Sequence, residues 1–314
     1  MAYTYISILV LGMFVTLAYN MCANVLRAIG DSMTPLIFLI LAAVLNVILD
    51  YVCILVFSMG VGGAAAATVI SQVVSVVLCV IHIKRHFPIL QVERRHFKLE
   101  KSEVRTMLSG GLSMGMMSSL VNLGTLALQT SINRLGRDII VAHTAARKIT
   151  EMFMIMFGVF GQTMAIFCGQ NAGAGRMDRV RHGIGLAVLY TCIWSVMTVI
   201  FSFTIGKQLI YLVTGSHNET VIRNAANYLK FDTIFYFVTA VISVLRNAMQ
   251  GLGETVIPLV SSALEMIGKV VIAVTLVPLL GYTGVIVAEP IVWVIMVIPL
   301  IVKILKMPEL KKTV

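Results

Sequence analysis

Apolar runs of about twenty residues recur from one end of this chain to the other, separated by short polar breaks rich in glycine, proline and basic side chains. Runs of that length and polarity predict membrane-spanning helices, not the amphipathic helices or alternating strands of a water-soluble domain. Nine spans are predicted, over residues 6–26, 35–57, 63–83, 107–132, 139–168, 185–205, 229–249, 257–279 and 284–304. The fifth is long and carries His143, Arg147, Lys148 and Glu151 in its first half, so that half must face protein or water. The fold class is therefore all-α, a polytopic membrane protein.

Two of the breaks repeat one another. RAIGDSMTP at 27–35 and QGLGETVIP at 250–258 both place a glycine (Gly30, Gly253) before an acid (Asp31, Glu254), with proline four residues after the acid (Pro35, Pro258). Further on, Gly60 and Gly63 return at nearly the same spacing as Gly281 and Gly284. Six predicted spans separate the copies, an even number, so both breaks lie on one face and the repeat is parallel. Sixteen of the 24 lysines and arginines fall in the connections on that face or in the C-terminal segment, counting Arg246 and Lys303 at span ends, against five opposite, counting Lys230. By the positive-inside rule the breaks and the C-terminus are expected in the cytoplasm.

An N-terminus on the outer face follows, although MAYTYIS opens directly into a span with no cleavable signal. Three spans precede the one that leads into the later break, and none precede the earlier one. The economical expectation is that three spans are missing from the front of two six-span halves. On that basis residues 1–83 form a truncated amino-terminal lobe, 84–106 a basic cytoplasmic linker and 107–314 the carboxy-terminal lobe. The linker mixes Phe87, Ile89, Leu90, Val92, Phe97 and Leu99 with basic residues. It suits an amphipathic helix on an anionic membrane surface, with a solvated linker as the alternative.

Composition agrees with the pattern. The 314 residues are 59% hydrophobic and 12% charged, where soluble proteins have about 25% charged. A net charge of +10 could suggest nucleic acid, but the basic residues lie between apolar runs, where the membrane accounts for them and nucleic acid is not an expected partner. The five cysteines are scattered singly through apolar runs and read as small core hydrophobes. No spacing of Cys, His or Ser suggests a metal site or a nucleophile, so no enzyme is expected. The Gly-rich segment at 171–176 lacks the lysine and the preceding strand of a phosphate loop.

Several side chains inside the spans could carry chemistry. Asn46 and Asp50 are one helical turn apart on one face of the second span, and Thr68 falls at similar depth on the third. Together they offer the oxygen ligands of a hard cation; the alternative is a hydrogen-bonded interhelical group. Glu265 and Lys269 are also one turn apart, either a self-neutralising pair or a substrate contact. Glu289 precedes Pro290, which predicts a kink, with a proton-carrying role for Glu289 as an alternative. Asp232 with Lys230, and Arg147 with Glu151, read as interfacial pairs. Methionines crowd 113–119 and 151–157, Met154 among them, as adaptable walls for varied ligands or as plain core filling. Asn122, Gln129 and Gln162 on the same spans could orient a substrate or bind neighbouring helices together.

RAIGDSMTP, the following NVILD, MGVGGAAAATVISQ, GQNAGAGRMDRV at 169–180 and VAEPI at 287–291 together resemble the multidrug and toxic compound extrusion (MATE) family. The resemblance covers essentially the whole chain. It implies twelve helices in two six-helix lobes, of which this chain would hold helices four to twelve. It also implies export of drugs or organic cations by alternating access, coupled to sodium or proton entry, with no other cofactor. The protein is expected as a multi-pass protein of the cell (inner) membrane, in contact with the lipid bilayer and, if complete, monomeric. In similar transporters a cation site in the amino-terminal lobe falls on positions matching Asn20, Asn46, Asp50 and Thr68, with sodium possible at Asp50; an aspartate on helix one has no counterpart here. Asn20 lies about 7 Å shallower than Asp50, and Asn24 competes with it. The methionine-rich spans line the drug cleft of such proteins. Two rivals remain open: a lipid-linked saccharide flippase of the same superfamily, disfavoured by the few intramembrane cations, and a transport-incompetent remnant.

Overall fold

The computed structural model describes residues 2–90, 100–215 and 218–307. The chain divides into two units, Met1–Leu99 and Glu100–Val314. In the first, α1 (Ala2–Ala28) and α2 (Met33–Tyr51) both pack on α3 (Gly60–His86) and barely touch one another. A π-helical turn, Val52–Val56, ends α2, and a single 3-10 turn, Pro88–Leu90, follows α3. The rest of the expected surface helix, with Val92, Phe97 and Leu99, lies outside the described residues.

The second unit runs α4 (Lys101–Ile132), α5 (Arg137–Gly173), α6 (Met177–Thr204), α7 (Gly206–Thr214), α8 (Glu219–Ile234), α9 (Tyr236–Gly251), α10 (Val256–Val274), α11 (Leu276–Leu280) and α12 (Tyr282–Lys306). Among the described residues, eight helices are long and apolar enough to cross a membrane, and the bent pair α8–α9 makes a ninth span. The chain is a multi-pass, all-α membrane protein.

The seventh predicted span, 229–249, is not straight: α8 and α9 meet at 53° around Phe235. No proline or glycine sits at the joint. Instead, the Thr233 hydroxyl donates to the carbonyls of Leu229 and Lys230 at 2.9 and 3.2 Å, competing with the backbone N–H groups that a regular helix would send there. On α6 the same back-bonding serves burial. Thr191, Ser195, Thr198 and Ser202 are buried along one stripe, each hydroxyl satisfied by a carbonyl of the preceding turn. Helices α5 and α9 cross closely where Gly251 faces Ala165 with no room for a Cβ.

The repeat seen in the sequence is a repeat of geometry. In each break the acid's N–H bonds the carbonyl five residues back, Asp31 to Leu26 and Glu254 to Met249, both at 2.9 Å. Gly30 and Gly253 supply the positive φ this needs, +96° and +81°. Pro35 and Pro258 each stand in the first turn of the next helix, where a missing N–H costs nothing. The register that lays Asp31 on Glu254 also lays Phe38 on Ser261, and the Gly60–Gly281 register lays Ser75 on Met296. Ser75 donates to the Phe38 carbonyl at 2.9 Å, and Ser261 to the Met296 carbonyl at 2.8 Å. One interhelical bond is kept in both units with its donor moved to the opposite helix.

Candidate functional site

Unit 1 holds the polar group that the spacing on α2 predicts. Asn46 Nδ2 donates to Thr68 Oγ1 of α3 at 3.4 Å, and the Thr68 hydroxyl donates to the Ala64 carbonyl at 3.0 Å. Asp50, one turn along α2, is half-buried, and its Oδ1 is withdrawn from solvent without a hydrogen-bond partner. An oxygen acceptor left dry beside an amide and a hydroxyl is a costly arrangement unless something electropositive visits it. Asn20 is exposed on α1 and, among the described residues, makes no hydrogen bond to the other three. Asn24 instead accepts from Arg27 Nη1 at 3.1 Å.

Unit 2 holds a more extensive construction. Arg147 of α5 meets both carboxylate oxygens of Glu289 on α12, at 3.0 and 3.2 Å. Lys269 of α10 lies 3.6 Å from Glu289, 2.9 Å from Glu265 and 3.3 Å from the Thr125 hydroxyl of α4. Arg246 of α9 closes the chain on Glu265 at 3.6 Å and on Ser261 at 3.5 Å. Four helices are thereby joined through alternating charges, and the Thr125 hydroxyl ties in a fifth, α4. Lys269, Glu265 and Glu289 are the driest members, their side chains 4, 8 and 7% exposed. Charges so placed are tolerable only because each has an opposite partner.

Beside this chain Asp232 is fully buried, its Oδ2 accepting from the Tyr236 hydroxyl at 3.2 Å and its Oδ1 unpaired. His143, also buried, stands edge-on to Tyr228 and Tyr282 at 5.0 and 6.1 Å, with Nδ1 unpaired.

Several sequence expectations change here. Asp232 is no interfacial partner of Lys230, whose ammonium instead lies 5.1 Å over the Phe203 ring. The turn before Phe235 carries the two side chains in different directions. Arg147 keeps Glu151 at 3.7 Å, but that acid is 66% exposed and the buried Glu289 is its main partner. Arg246, counted with the charged connections, belongs to the buried chain; its position inside an apolar span was the available signal.

The expected substrate contacts are dispersed. Asn122 and Gln162 are exposed, Gln129 donates to Asn133, the C-cap of its own helix, at 2.9 Å, and Met154 is half-buried against the core of unit 2. Among the described residues, no hydrogen bond joins any of these four to another.

The MatE family profile matches residues 1–52 and 114–275. Among curated proteins the chain is 29% identical over 253 residues to the probable multidrug resistance protein YpnP of Bacillus subtilis, covering 81% of this chain and 56% of that protein. It is 25% identical over 268 residues to the multidrug export protein MepA of Staphylococcus aureus, covering 83% of this chain and 57% of MepA. The chain thus spans little more than half the length of the curated relatives it matches. Its fold matches the crystal structure of a MATE in the bent conformation, with a TM-score of 0.90 and 21% identity over 99% of this chain and 69% of that one. A similar match, with a TM-score of 0.89 and 22% identity over 99% of this chain and 70% of the other, joins it to a MOP superfamily transporter from Pyrococcus furiosus described as having a binding pocket of reverse polarity. The profile match covers more than half the chain, with a block in each unit, and the chain belongs to the MatE family, the multidrug and toxic compound extrusion transporters.

Proposed function

We propose that this chain forms most of a secondary transporter that exports drugs or organic cations by alternating access in exchange for sodium or protons. The observation that carries this reading is Asp50: a partly buried carboxylate with one dry, unpartnered oxygen, a turn from the Asn46–Thr68 hydrogen bond. A small hard cation or a proton is the partner such a group lacks. The related proteins described as multidrug resistance or export proteins support the substrate class.

The paired charges of unit 2 favour drug export over lipid-linked saccharide transport. A flippase needs cations free to hold pyrophosphate, whereas Arg147, Lys269 and Arg246 are each engaged by Glu289 or Glu265. In this reading the breaks face the cytoplasm, as the basic connections suggest, in the inner membrane, and the transporter acts as a monomer.

The test is export of a cationic dye from proteoliposomes containing the purified chain, under a sodium gradient and a pH gradient applied separately. Dye movement driven by either gradient and lost in Asp50→Asn supports the reading and names the ion. Export that survives Asp50→Asn removes the cation site from unit 1. No export under either gradient leaves a non-transporting member of the family.

A further inference from the structure

The acid of each repeated break does two things at once. In unit 1, Asp31 Oδ1 accepts the Thr34 N–H at 3.0 Å, holding the first turn of α2, while Oδ2 lies 3.3 Å from His82 Nε2 near the end of α3. In unit 2, Glu254 Oε1 accepts the N–H groups of Val256 and Ile257 at 3.0 and 3.4 Å, while Oε2 lies 2.5 Å from Lys303 Nζ near the end of α12. The register that lays Gly60 and Gly63 on Gly281 and Gly284 lays His82 on Lys303. The two units therefore build the same latch, tying the start of one helix to the end of the next, and differ in the base that closes it.

That difference is chemical. A lysine keeps its charge throughout the neutral range, whereas histidine is the side chain whose charge ordinarily changes between about pH 5 and 8. We infer that Asp31–His82 is a pH-sensitive latch on the break-side ends of α2 and α3, and that Glu254–Lys303 is its permanently charged counterpart. The sign follows from the pair: the imidazolium–carboxylate attraction is present at lower pH and lost as rising pH removes the imidazole proton. Asp31 stays ionised across this window. Burial works against its charge, but bonds from the Thr34 backbone and side chain and from His82 outweigh that and hold its carboxyl below its ordinary value.

His86, one turn on, stacks on His82 with ring centres 4.3 Å apart and brings no negative charge, so Asp31 is the counter-charge that the His82 ring faces. Phe38 of α2 and Phe87 flank the His82 ring at 6.0 and 5.8 Å. Among the described residues, the remaining ionisable groups at this end are Tyr19, Cys22 and Arg27 from α1 and Cys79, Lys84 and Arg85 from α3 itself. None of these is an acid that replaces Asp31 near neutral pH. Because α2 carries Asn46 and Asp50, within the proposed function the latch sets the order of the helix bearing the cation site according to the pH at its break-side end.

The test needs no transport, so its failure and failure of the transport reading are distinguishable. Hydrogen exchange of the unmodified chain in lipid nanodiscs, resolved to single amides and corrected for intrinsic rates, is compared at about pH 6 and about pH 8. Protection at Thr34 is expected to fall roughly five-fold at the higher pH, with Val256 and Ile257 in the same molecule unchanged. His82→Lys, which copies the base of unit 2, is expected to abolish the response, and His86→Gln to keep it. Equal behaviour at both breaks, no response at Thr34, or a response that persists in His82→Lys would each overturn the proposal. Should His82→Lys fail to fold, the two breaks of the native chain decide the matter alone.

Discussion

Lys269 reaches Glu289 across 3.6 Å in unit 2, at the repeat positions where Asn46 meets Thr68 across 3.4 Å in unit 1. The register of the breaks lays Asn46 on Lys269, and that of the paired glycines lays Thr68 on Glu289. One interhelical contact has thus been kept twice, as a neutral amide–hydroxyl pair and as an ion pair. Neutral polar groups can face an unpartnered carboxylate such as Asp50 without cancelling its charge. An ion pair cancels itself and must be completed by further charges, which is why unit 2 extends through Arg147, Glu265 and Arg246.

Glu289→Gln should be among the most destabilising polar substitutions in the chain. It leaves Arg147 without its buried partner and strips Lys269 of one of two, at an expected cost of about 3–5 kcal/mol. Thermal unfolding in nanodiscs measures it. Replacing Arg147 and Glu289 together by Met and Leu should recover much of the loss, because the desolvated charges disappear as a pair. A double variant as unstable as the single one would show that the buried chain is not held by charge pairing.

Asp50→Asn should separate function from folding. The dry Oδ1 has no partner to lose, so the melting temperature should be unchanged or slightly raised. Ion-driven dye export should vanish in the same preparation. A variant that loses export only because it unfolds would instead mark Asp50 as a packing group.

Gly251→Ala tests the α5–α9 crossing. A methyl there would run into the Ala165 backbone carbonyl, which belongs to a helix and cannot turn aside. The two helices must separate, at about 1–3 kcal/mol. Gly158→Ala on α5, where an added methyl meets open space, should instead be neutral or mildly stabilising. Comparison of the two melting temperatures checks the crossing.

The Lys303 latch should respond to acid and not to neutral pH. Its bond to Lys303, opposed by partial burial and helped by the Val256 and Ile257 N–H groups, holds the Glu254 carboxyl below its ordinary value. A lowered carboxyl contributes stability above the unfolded value and loses it as pH falls through the folded one. At this water-screened end the pair contributes about 1 kcal/mol or less. The difference in unfolding free energy between the native chain and Lys303→Met should therefore be flat from pH 8 to 6, within the usual range of pH stability, and shrink only in acid.

The parts of this protein legible in its sequence are those encoded locally. Twenty-residue apolar runs announce helices because lipid requires every backbone group to be satisfied within its own segment. The break motif was readable because its glycine, acid and proline act within a few residues of one another. Glu265–Lys269 and Asn46–Asp50 were readable because one helical turn places them on one face.

What needed the tertiary structure was every pairing between helices. Arg147 and Glu289 are 142 residues apart in the chain, and no spacing rule joins them; only the packing of α5 against its neighbours and of α12 against the same core does. Asp232 looked interfacial because Lys230 is its neighbour in sequence, yet the turn of α8 before Phe235 points it inward. His82 lies inside the apolar span 63–83, and nothing in its spacing points to Asp31; α3 carries it there. Sequence alone determined that this is a helical membrane protein built on a repeat. Which charges meet was decided by how the helices pack, because a buried charge takes whichever partner the packing brings within reach.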